Sequence, residues 1–148
     1  MYEPLFHSNI ARLQGNAPKA VDLLVPVMQY EQNSIVIPYE RAQGYVAAGE
    51  LAKAAAEFEK LISHRGWHEW EVFMPLAQLG LARAYAMKGE RDESRKAYDE
   101  FFTTWKDADP DIPILTQAKT EYKKLTIKAA SISESGKGRK PVSRAAAF

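Results

Sequence analysis

The sequence predicts an all-α chain, a solenoid of three helix pairs closed by one further C-terminal helix. Three observations predict it. Gly15, Gly49 and Gly89 each follow a helical run, and each carries the same set of residue types around it, at offsets of 34 and then 40 residues. In the stretch Leu76 to Trp105, Ala82 and Tyr85 stand three apart before Gly89, and Ser94, Tyr98 and Phe101 fall at i, i+4 and i+7 after it. Two antiparallel helices result, each with one packing face. One hairpin of this kind cannot bury both its faces, and repetition is the remedy.

The register is specific. Five residues after each glycine comes a small side chain (Ala20, Ala54, Ser94), then a large one (Leu24, Phe58, Tyr98), then Val27, Leu61 and Phe101. Four before each glycine stand Ala11, Tyr45 and Tyr85, and three before those Ser8, Ala42 and Ala82. Small residues let two helix backbones approach, and the large ones fill the groove beside the crossing. Each glycine ends the first helix of its pair in a left-handed conformation.

Taken in order, helices are expected at about 2–14 and 17–29, the second opened by Asn16 and Pro18 and kinked or stopped early by Pro26. The second pair spans about 35–48 and 51–64. The third begins at about 70 or 75, with Pro75 as first turn or kink, runs to 88, and is completed by 91–105. Between pairs two and three, HRGWHEWEV holds the extra residues, with Trp67 and Trp70 expected to pack over the junction. KDADPDIP is a turn-rich link with Asp111 as the expected helix cap. The last helix, about 112–132, carries Ile114, Leu115, Ala118, Tyr122 and Leu125 on one stripe and covers the open end of the array. The domain therefore covers 1–132, with repeats at about 2–31, 35–65 and 70–106, and 133–148 is a disordered basic tail.

This register resembles the tetratricopeptide repeat (TPR), whose period is 34 residues, over roughly residues 2–106. Repeat one departs from it with Ala11 in the Tyr position, and repeat two has Pro38 where a Trp or Leu is usual. The resemblance implies a right-handed solenoid that binds protein. A generic bundle with accidental register is the competing reading. A narrower resemblance lies in LARAYAMKGERDESRKAYDEFFTTWKDADPDIPILTQAKTEYKKL, from Leu81 on, and in FEKLISHRG before it. These runs resemble the C-terminal repeat region of large bacterial serine/threonine protein kinases and related sensor proteins, abundant in acidobacteria. That implies a sensory or partner-binding segment downstream of a kinase domain. No kinase residue carries over: there is no glycine-rich phosphate loop, His64-Arg65-Gly66 lacks the catalytic Asp, and no DFG occurs.

Composition narrows the function classes. Twenty basic against 19 acidic residues, net +1, supply no field for nucleic acid or an anionic membrane. The absence of cysteine excludes disulfides, thiolate metal sites and thiol nucleophiles. No apolar stretch is long enough to insert into a bilayer, and MYEPLFHSN is no signal peptide. The cytoplasm is expected, or the extracytoplasmic side if the segment belongs to a membrane-spanning kinase.

Candidate chemistry is thin. His64 and His68 share i, i+4 spacing with Glu69 after them, but Val72 stands where a zinc-protease motif needs its second His, and Gly66 lies between. Asp107, Asp109 and Asp111 alternate like calcium ligands, yet Ile112 replaces the required Gly and Ala118 the closing Glu. Lys137, Arg139, Lys140 and Arg144 lack interleaved aromatics for nucleic acid. No catalytic residue, metal or cofactor is expected.

What remains is the concave face of the first helices. Its expected lining is Leu5, Asn9, Arg12 and Leu13, then Tyr39, Gln43, Val46 and Ala47, then Leu79, Arg83, Ala86 and Met87. The competing reading has some of these side chains packing between repeats. The lining predicts an extended or helical peptide with apolar anchors and one acidic group. An adaptor or scaffold is the expected function, with a non-catalytic regulatory segment of a kinase as the alternative. Tyr2, Leu5 and Phe6 on the first helix also suggest a fragment of a longer repeat array, a self-association surface, or both.

Overall fold

The computed structural model describes residues 2–64 and 73–136. Their helices are α1 (Tyr2–Leu13), α2 (Ala17–Asp22), a 3-10 segment (Val25–Asn33), α3 (Val36–Ala47), α4 (Leu51–Ser63), α5 (Phe73–Lys88), α6 (Arg91–Thr104) and α7 (Pro113–Gly136). Successive helices pack on one another along the chain, and α1, α3 and α5 also touch their counterparts in the neighbouring pair. The result is a solenoid built pair by pair.

All three hairpins close by the same device. Gly15, Gly49 and Gly89 have φ of +79°, +75° and +85°. Each glycine N–H reaches back to the carbonyl three residues earlier, and the next residue's N–H reaches the carbonyl five earlier: Asn16 to Ala11, Glu50 to Tyr45 and Glu90 to Tyr85, at 2.8, 2.9 and 3.0 Å. A left-handed residue satisfies two orphan carbonyls of the helix end, and only glycine adopts it without strain.

The small residues meet at the crossings. Ser8 with Ala20, Ala42 with Ala54 and Ala82 with Ser94 are all fully buried. The backbones come close enough for a hydroxyl to span them. Ser8 Oγ donates to the Ala20 carbonyl at 2.7 Å, and Ser94 Oγ donates to the Ala82 carbonyl at 2.8 Å. Ser94 thus makes the bond of the first repeat from the opposite helix.

Pro26 does more than kink the second helix. The α-helix ends at Asp22, because proline has no N–H to give the Asp22 carbonyl, and the chain continues as a 3-10 segment. Asn16 Oδ1 caps α2 by accepting from the Lys19 N–H at 3.3 Å, as expected. Pro75 stands in the first turn of α5, where a missing N–H is harmless. Asp111 is not the cap of α7. Asp109 folds the link instead, its Oδ1 accepting from the Asp111 N–H at 3.1 Å. Helix α7 runs from Pro113 to Gly136, past the expected end at about 132. Trp67, Trp70, His68 and Glu69 lie outside the described residues, as do Lys137, Arg139, Lys140 and Arg144.

The main core joins pairs two and three to α7 through Phe58, Leu61, Leu79, Tyr98, Phe101, Leu115 and Ala118; a smaller one joins Leu5, Leu24 and Val27 of pair one to Ile37 of α3. Arg41 ties the 3-10 segment to pair two. Its buried guanidinium donates to Glu31 at 2.7 Å and to Glu57 of α4 at 2.6 Å, while Lys60 also holds Glu31. Burial opposes ionisation of Glu31, but the bonds from Lys60 and Arg41 outweigh it and lower its pKa.

Candidate functional site

The first helices of the three pairs, whose shared side is expected to be concave, are α1, α3 and α5, so one register position recurs on each. Six residues before the hairpin glycines stand Asn9, Gln43 and Arg83, all half-buried; two before stand Leu13, Ala47 and Met87, all exposed. A polar row runs beside an apolar row because the two positions are four apart on each helix.

The polar row is already hydrogen-bonded. Asn9 Nδ2 donates to both Glu40 carboxylate oxygens at 3.3 and 3.4 Å, and Arg12 stands 3.7 Å from the same group. Gln43 Nε2 donates to the Tyr39 hydroxyl at 3.1 Å. Burial pushes the Tyr39 pKa up, keeping the phenol neutral. Arg83 grips Glu121 of α7 with two bonds, Nε and Nη2 at 2.9 and 3.0 Å, and Tyr98 donates to the same carboxylate at 2.9 Å. A two-pronged guanidinium–carboxylate pair with a third donor is a strong and directional unit.

The structure thus brings Asn9 and Arg12 together on Glu40, and Tyr39 with Gln43, whereas Arg83 is drawn to the closing helix. Leu5 and Leu79 are 7% and 1% exposed and belong to the core, with no surface left for a ligand. Tyr39 is partly core as well, its ring edge-on to Phe58 and Phe73 at 6.2 and 5.4 Å. Met87, 57% exposed, is the open apolar side chain of the third helix pair. Glu40 and Glu121 escaped the sequence reading. The signal was available for Glu40, which stands nine residues before Gly49, one turn from the polar row.

The Arg83–Glu121–Tyr98 unit gives the protein a pH dependence. Burial raises the pKa of Glu121, but the bonds from Arg83 and Tyr98 win and hold it below the ordinary carboxylate value. A depressed folded pKa contributes stability above the unfolded value and loses it as pH falls through the folded one. Urea melts should therefore be flat from neutral pH to about pH 5 and decline below about pH 4. Glu121→Gln should be less stable at neutral pH and show a shallower acid limb. An unchanged acid limb would remove Glu121 as a source.

Elsewhere the chemistry stays thin. His64 Nδ1 lies 2.8 Å from the Lys60 carbonyl and 3.0 Å from Ser63 Oγ at the end of α4. Among the described residues, no group of three or more His, Asp or Glu is placed to hold a metal. None of their helices is long and apolar enough to cross a membrane. A cleft of about 680 Å³ on α6 is lined by Gln78 with Asp92, Arg95, Lys96, Asp99 and Glu100, both signs of charge on one helix face. It contains nothing from α1 or α3.

No protein-family profile and no curated protein matches the chain. Solved structures do. A crystal structure of a Podosopora anserina protein assigned as a kinesin light chain, with nearly identical TPR-like repeats, matches with a TM-score of 0.73 and 18% identity, covering 88% of this chain and 67% of that one. A single-substitution variant of that protein matches equally. At that identity the likeness speaks for architecture, and it agrees with the glycine register, the small-residue crossings and the helix order: the chain has a TPR-like, all-helical repeat fold.

Proposed function

We propose that the chain is a protein-interaction module, itself non-catalytic, that takes an extended or helical peptide along the concave face of α1, α3 and α5. The observation that carries this reading is the pair of parallel rows, half-buried Asn9, Gln43 and Arg83 beside exposed Leu13, Ala47 and Met87. Amide and guanidinium groups suit a peptide backbone, and the apolar row suits its anchors. Rigid helix pairs keep the rows aligned at little ordering cost. Both arginines already face carboxylates, so an acidic group on the peptide would have to displace Glu40 or Glu121. Apolar anchors therefore dominate over the acidic group.

A displayed peptide library should return sequences with spaced apolar anchors. Met87→Glu and Ala47→Glu should each weaken the selected peptides at least about tenfold, because a charge is set against an apolar anchor. Both positions are exposed, so the fold should be unchanged by circular dichroism. Equal binding by wild type and both variants would refute the groove. Arg83→Glu is a poorer control, since it also breaks the bonds to Glu121. A regulatory segment of a serine/threonine kinase is the second reading, supported by the run from Leu81 to Leu125. An in-frame kinase domain in the coding DNA would support it.

A further inference from the structure

We propose that the cleft on α6 is a docking site for a basic peptide segment of a partner protein, which enters it with an arginine or lysine side chain. Gln78 of α5 lines the cleft, is 2% exposed, and its Oε1 has no hydrogen-bond partner. A buried amide oxygen without a donor destabilises the fold, and a donor carried in by a ligand removes that deficit. The groups around it are acceptors too. Asp92, Asp99 and Glu100 line the same cleft, and Thr103 and Thr104 donate their hydroxyl protons to the carbonyls of Asp99 and Glu100, at 2.8 and 3.0 Å. A ligand that answers them is rich in donors and positively charged.

The second helix pair shows how this side of a hairpin takes a guest. There the guest is the 3-10 segment Val25–Asn33. Lys60, eleven residues after Gly49, holds its Glu31 at 2.5 Å, and Pro38, eleven before, is fully buried. In pair three the residues eleven after and eleven before Gly89 are Glu100 and Gln78, and both line the cleft. The holder has changed sign, so the guest it suits has changed sign as well. Arg41, the second cation on Glu31, stands eight residues before Gly49; eight before Gly89 stands Leu81. Neither position that holds the acid in pair two carries a cation in pair three.

Size and mixed charge select a peptide over a small cation. From Asp92 to Thr104 the helix is about 18 Å long, room for about five extended residues, and a cleft of about 680 Å³ exceeds what one side chain fills. Arg95 and Lys96 line it beside the three carboxylates. Their charge disfavours a polyamine, and their donors suit the backbone carbonyls between the basic side chains of a peptide. The carboxylates stay in excess, so the basic side chains set the affinity.

Capped, fluorescently labelled hexapeptides carrying two arginines, two lysines or two glutamates among glycines test the site by anisotropy. The arginine and lysine peptides should bind, more weakly as salt is raised, and the glutamate peptide should not. Glu100→Lys, at an exposed position, should weaken the arginine peptide at least about tenfold and leave the fold unchanged. Gln78→Leu should weaken it about fivefold and keep or raise the urea midpoint, because the unpaired acceptor is gone. Met87→Glu and Ala47→Glu, set against a concave-face peptide, should leave the arginine peptide's affinity unchanged, so the two sites stand or fall separately. Absence of binding, equal binding of all three peptides, or binding indifferent to Glu100→Lys overturns the proposal. A Gln78→Leu protein that is destabilised yet binds as wild type makes the amide structural and overturns its role. Spermidine competing as well as the arginine peptide overturns the peptide as occupant.

Discussion

Gly80→Ala should cost about 2 kcal/mol and lower the melting temperature by about 4–8 °C. Elsewhere in a helix this substitution stabilises by about 1 kcal/mol, because alanine loses less backbone freedom. Here the new methyl would lie 2.4, 2.5 and 2.9 Å from three atoms of the Phe58 ring. Overpacking of that kind costs roughly 3 kcal/mol, at the upper end of the usual range, so the clash wins. The ring has nowhere to retreat, since it is fully buried and Tyr39 stands edge-on beside it. Phe58→Leu combined with Gly80→Ala should be more stable than the sum of the two changes by about 1 kcal/mol or more. A stabilised Gly80→Ala protein would mean that α4 and α5 lie further apart than described. Gly44→Ala should be milder, with a single Val21 methyl at 3.0 Å.

Arg41→Met should cost about 3 kcal/mol in chemical denaturation. The guanidinium is 3% exposed and neutralises Glu31 and Glu57, which retain 22% and 18% of their surface. Removing one member of a buried ion cluster leaves the others undercompensated, at about 3–5 kcal/mol, and the Lys60 ammonium on Glu31 with the residual solvation of both carboxylates places this case at the low end. The damage should be local first. Glu31 is the tether of the 3-10 segment, so amides between Val25 and Asn33 should exchange faster than those of α5. Arg41→Lys should rescue only in part, because one ammonium cannot fork between two carboxylates. Changing Glu31 and Glu57 to Gln together with Arg41→Met should recover most of the loss, since the cluster also leaves Arg41 Nε and Nη1 without partners. Failure of that recovery would show that the guanidinium's packing matters more than its charge.

The residues that the sequence reading placed well are those whose chemistry is local. Positive φ demands glycine, so Gly15, Gly49 and Gly89 announced their hairpins, and small side chains announced the crossings. Pro26 announced a break, though not the 3-10 segment that replaces the helix, because that depends on Glu31 meeting Arg41 and Lys60. The concave face was harder. Periodicity assigns a residue to a side of a helix but not the depth to which neighbours cover that side, and Leu5 and Leu79 proved to be core. The partners of the two arginines were equally hidden. Arg83 finds Glu121 at a separation of 38 residues, across a contact that only the folded array creates. Gly80 gave a usable hint, since a glycine inside an apolar helical run often marks close approach.

The pairing of Arg12 with Glu40 and Arg83 with Glu121 bears on how fast any partner arrives at this face. Each positive charge is matched within its own neighbourhood, so little potential extends into solvent to draw a ligand in. Encounter is then unsteered, with association rate constants in the ordinary range of about 10⁵–10⁶ M⁻¹s⁻¹ and little dependence on ionic strength. Under the proposed reading, discrimination between partners falls to residence time, set by how well Met87, Ala47 and Leu13 are covered.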